Sequence, residues 1–242
     1  MSNAETSQSG ALSYLQTFSL RCEPFADAID SRFFYAGTTL MQRLDLLTHL
    51  TQFGEAVVLV SGAPGSGKTT LLTRFVEQTN SQWRLCLIDG ADDFAQFPQR
   101  LAEVLTLGSV SSEQQLLGHW VAQTDNSQLL VILVDDADQL DESALARLSA
   151  LCAQPWANRI RIILFGVPEA QQRLKQAFEQ GTSSTSTQQL EMPRLSEEET
   201  SSYLMYRLAV AGYSGESPFT PTEVRALCKA AGGRPSDINR LA

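Results

Sequence analysis

The sequence predicts an α/β protein: a parallel sheet covered by helices on both faces, followed by a small helical appendage. Three observations carry that prediction. Short apolar runs alternate with helix-length amphipathic stretches through most of the chain, the pattern of a parallel sheet with crossover helices. A glycine-rich segment, Gly62 to Thr70, lies directly between one such run and one such stretch. From Ser196 onward the pattern becomes purely helical. A length of 242 residues suits one large α/β domain with an appendage.

Residues 1–10 are small and polar, and Ser2 to Ala4 reads as a cloning scar; this stretch is expected to be tag-like or disordered. The α/β core is expected over 11–193 and the helical unit over 194–242. A lead-in with aromatic anchors, "EPFADAIDSRFFYAG", comes before Thr39 to Phe53, where Leu40, Leu44, Leu47 and Leu50 share one helical face. "AVVLVS" (Ala56 to Ser61) has the form of a fully buried parallel strand. Four further strands are expected at "RLCLID" (84–89), "LLVILVD" (129–135), "RIRIILFG" (159–166) and, more weakly, "QLEM" (189–192). Helices are expected between them at Phe97 to Leu105, Glu113 to Ala122, Glu142 to Ala153 and Glu169 to Phe178. "GTSSTSTQQ" (Gly181 to Gln189) reads as a flexible loop.

"SEEE" at Ser196 is a capping box opening a helix to about Ala211. "TPTE" at Thr220 is another, with Pro221 at the first helical position. A third helix is expected near Pro235, and the chain stops barely two turns in, so the helical unit is expected to be truncated at Ala242.

Composition narrows the function. With 18 basic and 27 acidic residues the formal net charge is -9, and no window gathers Lys or Arg into a stripe that could neutralise phosphates along a duplex, which disfavours nucleic acid as a partner. Cys22, Cys86, Cys152 and Cys228 lie far apart with no paired spacing and no nearby histidine, so they read as thiols in a reducing compartment. No run approaches the roughly 18 apolar residues of a membrane span. A membrane attachment would have to come from segments absent here.

The segment Gly62, Ala63, Pro64, Gly65, Ser66, Gly67, Lys68, Thr69, Thr70 fits G-x-x-x-x-G-K-[ST] between a strand and a helix. Glycines let successive N–H groups curl inward toward phosphate oxygens at the positive end of the following helix. Lys68 is then placed to reach the β and γ phosphates, and the Thr69 hydroxyl to serve Mg²⁺. A carboxylate is needed at the carboxyl end of a neighbouring strand, and Asp135 closes "LLVILVD" there, acting on the metal directly or through a coordinated water. Hydrolysis also needs a carboxylate to orient the attacking water. Asp136 has the charge, but its side chain is one methylene shorter than glutamate, a shortfall of roughly 1.3–1.5 Å. Misplacement of about 1 Å can cost roughly a hundredfold in rate, so slow turnover is expected. Asp138 and Asp141 read instead as turn or helix-cap aspartates.

These residues resemble the AAA+ class of P-loop ATPases, in particular the secretion ATPase A (ExeA or GspA) group of type II secretion. The similarity runs from about Phe18 to Ala242, through "FSLRCEPFADAIDSRFFY", "DDADQL", "FGVPEAQQRL", "RLSEEETSSYLMYRLAVAG" and "AAGGRPSDINRLA". "LDLLTHLTQFGEAVVLVSGAPGSGKTTLL" looks more like the cytoplasmic ATPase part of DamX-type cell-division proteins, which carry a membrane span and a periplasmic SPOR domain beyond it.

The resemblance implies a P-loop NTPase αβα sandwich with sheet order 5-1-4-3-2, a helical lid, ATP or ADP with Mg²⁺ as ligands, and self-association as rings. It implies a cytoplasmic domain of a protein anchored in the bacterial inner membrane, with septal or secretion proteins as partners. By the same resemblance Arg234 in "GGRPSDI" takes the lid-arginine position, or is an exposed arginine beside a helix start; Arg207 is a lid residue of structural kind. Two departures stand out. Val167 occupies the place where relatives sense the γ-phosphate with a polar residue, and Gly181 to Gln189 lacks the arginines that relatives offer to a neighbouring subunit, leaving Arg173 and Arg194 as substitutes. Without an identifiable finger, a monomer or dimer is expected for this chain.

Three functional readings follow. One is a weak ATPase acting as a nucleotide switch in a cell-envelope process, with cell division ahead of secretion. The second is an interaction module that binds nucleotide and scarcely turns it over. The third, an ATPase acting on DNA, is opposed by the acidic balance.

Overall fold

A computed structural model describes residues 14–26, 30–54, 57–92, 94–107, 112–152, 156–180, 185 and 187–242. The stretch expected to be tag-like, and most of the loop expected at 181–189, lie outside the described residues. The chain forms two compact units, one of residues up to Met41 together with Pro193–Ala242, the other Gln42–Met192.

The larger unit is built on five parallel strands, β1 (Val57–Ser61), β2 (Trp83–Asp89), β3 (Leu129–Asp135), β4 (Ile160–Gly166) and β5 (Thr187–Glu191). Their order is β2-β3-β4-β1-β5, which from the other edge is the expected 5-1-4-3-2. Helix α1 (Thr38–Phe53) enters the unit; α2 (Lys68–Glu77), α3 (Phe97–Val104), α4 (Glu113–Gln123), α5 (Glu142–Cys152) and α6 (Gln171–Glu179) are the crossovers. The central strands β3 and β4 are apolar on both faces but for Arg161 and the terminal Asp135, because both faces are covered, and Leu130 through Val134 are wholly buried. Ile132, Val134, Ile162 and Leu164 pack on one side into a cluster with Leu101, Leu117, Leu148 and Phe178 from α3 to α6. Burying side chains of this size contributes about 1.5–3 kcal/mol each. The outer strands bury only alternate or isolated residues, as edges do.

Register places the chemistry. Asp89 pairs with Asp135, and Ser61 pairs with Gly166 on one side and Glu191 on the other. All five strands thus end along one line, and the turns after β1, β2, β3 and β4 emerge from the same edge of the sheet, where ligands of open α/β sheets bind.

Several boundaries differ from expectation by a residue or two, three of them with a visible cause. Pro168 starts a 3₁₀ turn over Pro168–Ala170, so α6 begins at Gln171. β5 begins at Thr187 and ends at Glu191; the Met192 N–H still donates to Ser61 O at 2.8 Å, and Pro193 has no N–H to continue the ladder. Arg159 lies in a 3₁₀ turn ahead of β4, with its guanidinium 4.2 Å from the Trp120 ring and donating to Gln128 O and the Thr124 hydroxyl. Burial pushes the Cys86 thiol up to about 12 and the Cys152 thiol up to about 11, so neither ionises near neutral pH.

The smaller unit joins the lead-in to α7 (Glu197–Val210), α8 (Pro221–Ala231) and α9 (Pro235–Leu241). Both expected capping boxes form: Ser196 with Glu199, and Thr220 with Glu223 and Pro221 at the first helical position. Arg207 is buried and structural. Its guanidinium donates to Pro24 O, to Ala26 O at 2.8 Å and to the Tyr203 hydroxyl at 2.9 Å, and lies 4.8 Å from the Phe33 ring centre. Glu199 does double duty, capping α7 and accepting from the Thr39 hydroxyl at 2.6 Å. Among the described residues, no helix is long and apolar enough to cross a membrane.

Candidate functional site

The turn after β1 is shaped by glycines. Gly65 and Gly67 hold φ of 74° and 91°, a region side chains avoid, and a Cβ on Gly62 would stand 2.4 Å from Ser66 Oγ and 2.8 Å from Met192. The turn closes through Ser66 N–H to Ala63 O at 3.1 Å. Gly67 caps α2 without any side-chain hydrogen bond, so the first amides of α2 are left for another acceptor. Ser66 Oγ is buried and has no hydrogen-bond partner among the described residues. Lys68 is buried as well, and its ammonium donates to Gly62 O at 2.8 Å and Ala63 O at 3.4 Å. A buried cation bonded to two carbonyls, a hydroxyl without a partner among the described residues and uncapped amides together form a cradle suited to a phosphate chain.

Beside it, the Thr69 hydroxyl donates to Asp135 Oδ2 at 2.8 Å. Two oxygens on adjacent corners of an octahedron around Mg²⁺ are about 3 Å apart, given metal–oxygen distances of 2.0–2.1 Å. The Thr69–Asp135 pair therefore fits that ion, as does an all-oxygen donor set.

Asp136 follows directly and has a left-handed backbone, φ 45° and ψ 43°. Among ordinary residues aspartate and asparagine tolerate this best; most others pay roughly 1–2 kcal/mol. Its N–H donates to Asp135 Oδ1 at 3.1 Å. The side chain faces solvent, yet its carboxyl is pushed above the usual aspartate value, first by local loss of hydration and then by the charges of Asp135, Asp138 and Asp89; Lys68 pulls it partly back.

Of the residues singled out in the sequence, the fold brings the Gly62–Thr70 turn, Asp135 and Asp136 to one edge of the sheet. Asp141 caps α5 by accepting from Ala144 N–H at 2.7 Å, as a helix-cap aspartate. Asp138 is no cap; its carboxylate accepts the Val167 N–H at 3.2 Å, so Val167 contributes its backbone where its side chain cannot bond. Arg173 is committed to its own chain, donating to Asp138 O and Leu140 O. Arg194 is exposed, and Arg234 lies at the start of α9, paired with Asp237 at 2.5 Å. Gly90 escaped sequence reasoning. A Cβ there would meet Asp136 O at 2.2 Å, and only the position of a glycine immediately after a buried strand hinted at it.

A family profile described as an AAA domain matches residues 51–174, half of the chain, and takes in the glycine turn and both strand-end aspartates. The chain belongs to the AAA-domain family. Its sequence is 26% identical over 245 aligned positions to general secretion pathway protein A of Aeromonas hydrophila, covering 94% of this chain and 43% of that protein. The chain thus spans less than half the length of this relative. Solved structures share the fold: Cdc6p of Pyrobaculum aerophilum has a TM-score of 0.59 at 17% identity, over 90% of this chain and 62% of the other. Domain III of the Thermotoga maritima replication initiation protein DnaA has a TM-score of 0.53 at 14% identity, over 88% and 87%. Membership of the AAA-domain family supports nucleotide binding by this domain.

Proposed function

We propose that this AAA domain is a nucleotide switch that holds ATP or ADP with Mg²⁺ and hydrolyses ATP slowly, in the service of a bacterial cell-envelope process. The observation that carries the reading is the Thr69–Asp135 hydrogen bond at 2.8 Å beside a glycine turn whose lysine is buried and bonded to backbone carbonyls. Gly62 to Thr70 would cradle the phosphates, with Lys68 reaching the β and γ groups. Thr69 and Asp135 would hold the metal, which when bound neutralises charge on the phosphate oxygens. Asp136 would orient and polarise the attacking water. Arg234, which is paired with Asp237, is proposed as the lid arginine on the resemblance alone.

Slow turnover follows from the acid end of β3. Asp136 lacks the reach of glutamate, and its backbone conformation favours the shorter side chain. Asp136→Glu is expected to raise ATP turnover about tenfold or more, because recovering about 1 Å of placement outweighs a modest backbone cost. A phosphate-release assay on both proteins decides this; an unchanged or lower rate defeats the reach argument. The pH dependence is directional as well. A base whose carboxyl is raised loses its charged form sooner on acidification, so turnover should fall off at a higher pH than an ordinary aspartate near 3.8 would dictate. An acid limb at or below that value would contradict the assignment.

The similarity across 94% of the chain favours a secretion-linked partner. The cell-division reading rests on the stretch Leu44 to Leu72 and its likeness to DamX-type proteins. Septal or secretion proteins reached through an inner-membrane anchor outside this chain are the partners proposed, with nucleic acid disfavoured by the acidic balance. Co-purification of the full-length protein with secretion or septal components separates the two readings.

A further inference from the structure

Arg173 sits on α6 and turns its guanidinium toward the acidic turn after β3. Nη2 donates to Asp138 O at 2.8 Å, and Nη1 donates to Leu140 O at 3.0 Å and to Glu142 Oε1 at 3.2 Å. The fork closes on carbonyls at the end of the 3₁₀ turn Ala137–Gln139, where no further helical N–H is available to them. The side chain of Asp138 binds the same turn to the end of β4 through Val167 N–H at 3.2 Å. On the strand side, Gly90 N–H donates to Asp135 O at 2.8 Å, and Gly90 leaves room for Asp136 O where a side chain would collide. Between these holds stands Asp136, left-handed, its carbonyl accepting Gln139 N–H at 2.9 Å. A residue in a sparsely populated conformation persists only where its surroundings over-determine it. Here the surroundings are Gly90 on one side and the Arg173 fork with the Asp138 anchor on the other.

We propose that Arg173 is a positioning residue, acting within its own chain through the turn Ala137–Gln139 to hold the Asp136 carboxylate where it serves the attacking water. The inference rests on the hydrolytic role given to Asp136 above. An arginine offered to a neighbouring subunit's nucleotide must be free to leave, whereas this one spans two backbone carbonyls of its own turn with the planar geometry that guanidinium, unlike ammonium, provides.

The test uses single-turnover cleavage of labelled ATP by the whole chain, its Arg173→Ala and Asp136→Asn variants, the double variant, and Lys68→Ala as the site control. Arg173→Ala is expected to slow cleavage about tenfold or more, the scale of a misplacement near 1 Å, while ATP affinity changes less than about threefold. In the Asp136→Asn background the same substitution should cost nothing further, since it acts only through that carboxylate. Multiplying effects, or cleavage restored by mixing Arg173→Ala with Lys68→Ala subunits, would overturn the proposal in favour of a separate role or an arginine acting across subunits. Hydrogen exchange supplies a readout apart from activity: in Arg173→Ala, the Gln139 and Val167 amides should exchange at least tenfold faster while β3 itself stays protected, and unchanged exchange overturns the clamp. If the parent chain cleaves ATP no faster than Lys68→Ala, the hydrolytic reading fails, and the clamp is judged on exchange alone.

Discussion

Lys68→Ala is expected to weaken ATP binding about a hundredfold or more while leaving the fold intact. The ammonium is buried and, among the described residues, donates to Gly62 O and Ala63 O of its own turn, so its removal uncouples no packing between elements. In the bound state the same group would make charge-assisted hydrogen bonds to phosphate oxygens, each contributing about 1.5–3 kcal/mol. Two such bonds correspond to a hundredfold or more in affinity, with 1.4 kcal/mol to each factor of ten. Titration calorimetry with ATP and Mg²⁺ measures the loss, and circular dichroism checks that the secondary structure survives. A dissociation constant within threefold of the parent would remove Lys68 from the site.

Gly90→Ala is expected to damage both stability and turnover, although Gly90 belongs to no recognised motif. Its added Cβ would lie 2.2 Å from Asp136 O, 2.8 Å from the carbonyl carbon and 3.1 Å from Asp135 O. All three are backbone atoms, so no side-chain rotation relieves the overlap; β2 and the turn after β3 must separate. Overpacking of this kind costs about 1–3 kcal/mol. Displacing the Asp135–Asp136 peptide by about 1 Å should also slow hydrolysis roughly a hundredfold. The glycine turn lies on a different strand, so ATP affinity should suffer less than turnover. Urea unfolding together with ATP binding and phosphate release checks all three. Parent-like stability and turnover would show that the close approach of Gly90 to Asp136 has no consequence.

The contrast between these two residues marks what a sequence discloses. Lys68 was legible because its chemistry is local: a glycine turn, a lysine and a threonine at fixed spacing, between a buried strand and a helix. The same locality made β3 legible, since a strand covered on both faces is apolar throughout, and made the capping boxes at Ser196 and Thr220 legible, since partner and cap stand three residues apart. Gly90 and Arg173 act across the chain, on Asp136 O and on the carbonyls of Asp138 and Leu140. Nothing in their immediate neighbours announces that. In the sequence Arg173 is one more basic side chain that could serve another subunit; its commitment to backbone oxygens depends on how the fold places β3, β4 and α6. The left-handed backbone at Asp136 belongs to the same class, because φ there is set by what surrounds the turn. Its trace in the sequence is the residue type: aspartate tolerates the left-handed region better than most residues.

Secretion and division readings both depend on one property: nucleotide held firmly and cleaved slowly. That property is measured in a single experiment on the purified chain, by following binding and single-turnover cleavage of labelled ATP with Mg²⁺ in the same sample, alongside Lys68→Ala. Saturable binding lost in Lys68→Ala, with cleavage well below about 1 s⁻¹ against the roughly 10 s⁻¹ of a typical enzyme, is the predicted result. Cleavage at about 10 s⁻¹, or binding that Lys68→Ala leaves unchanged, would contradict it.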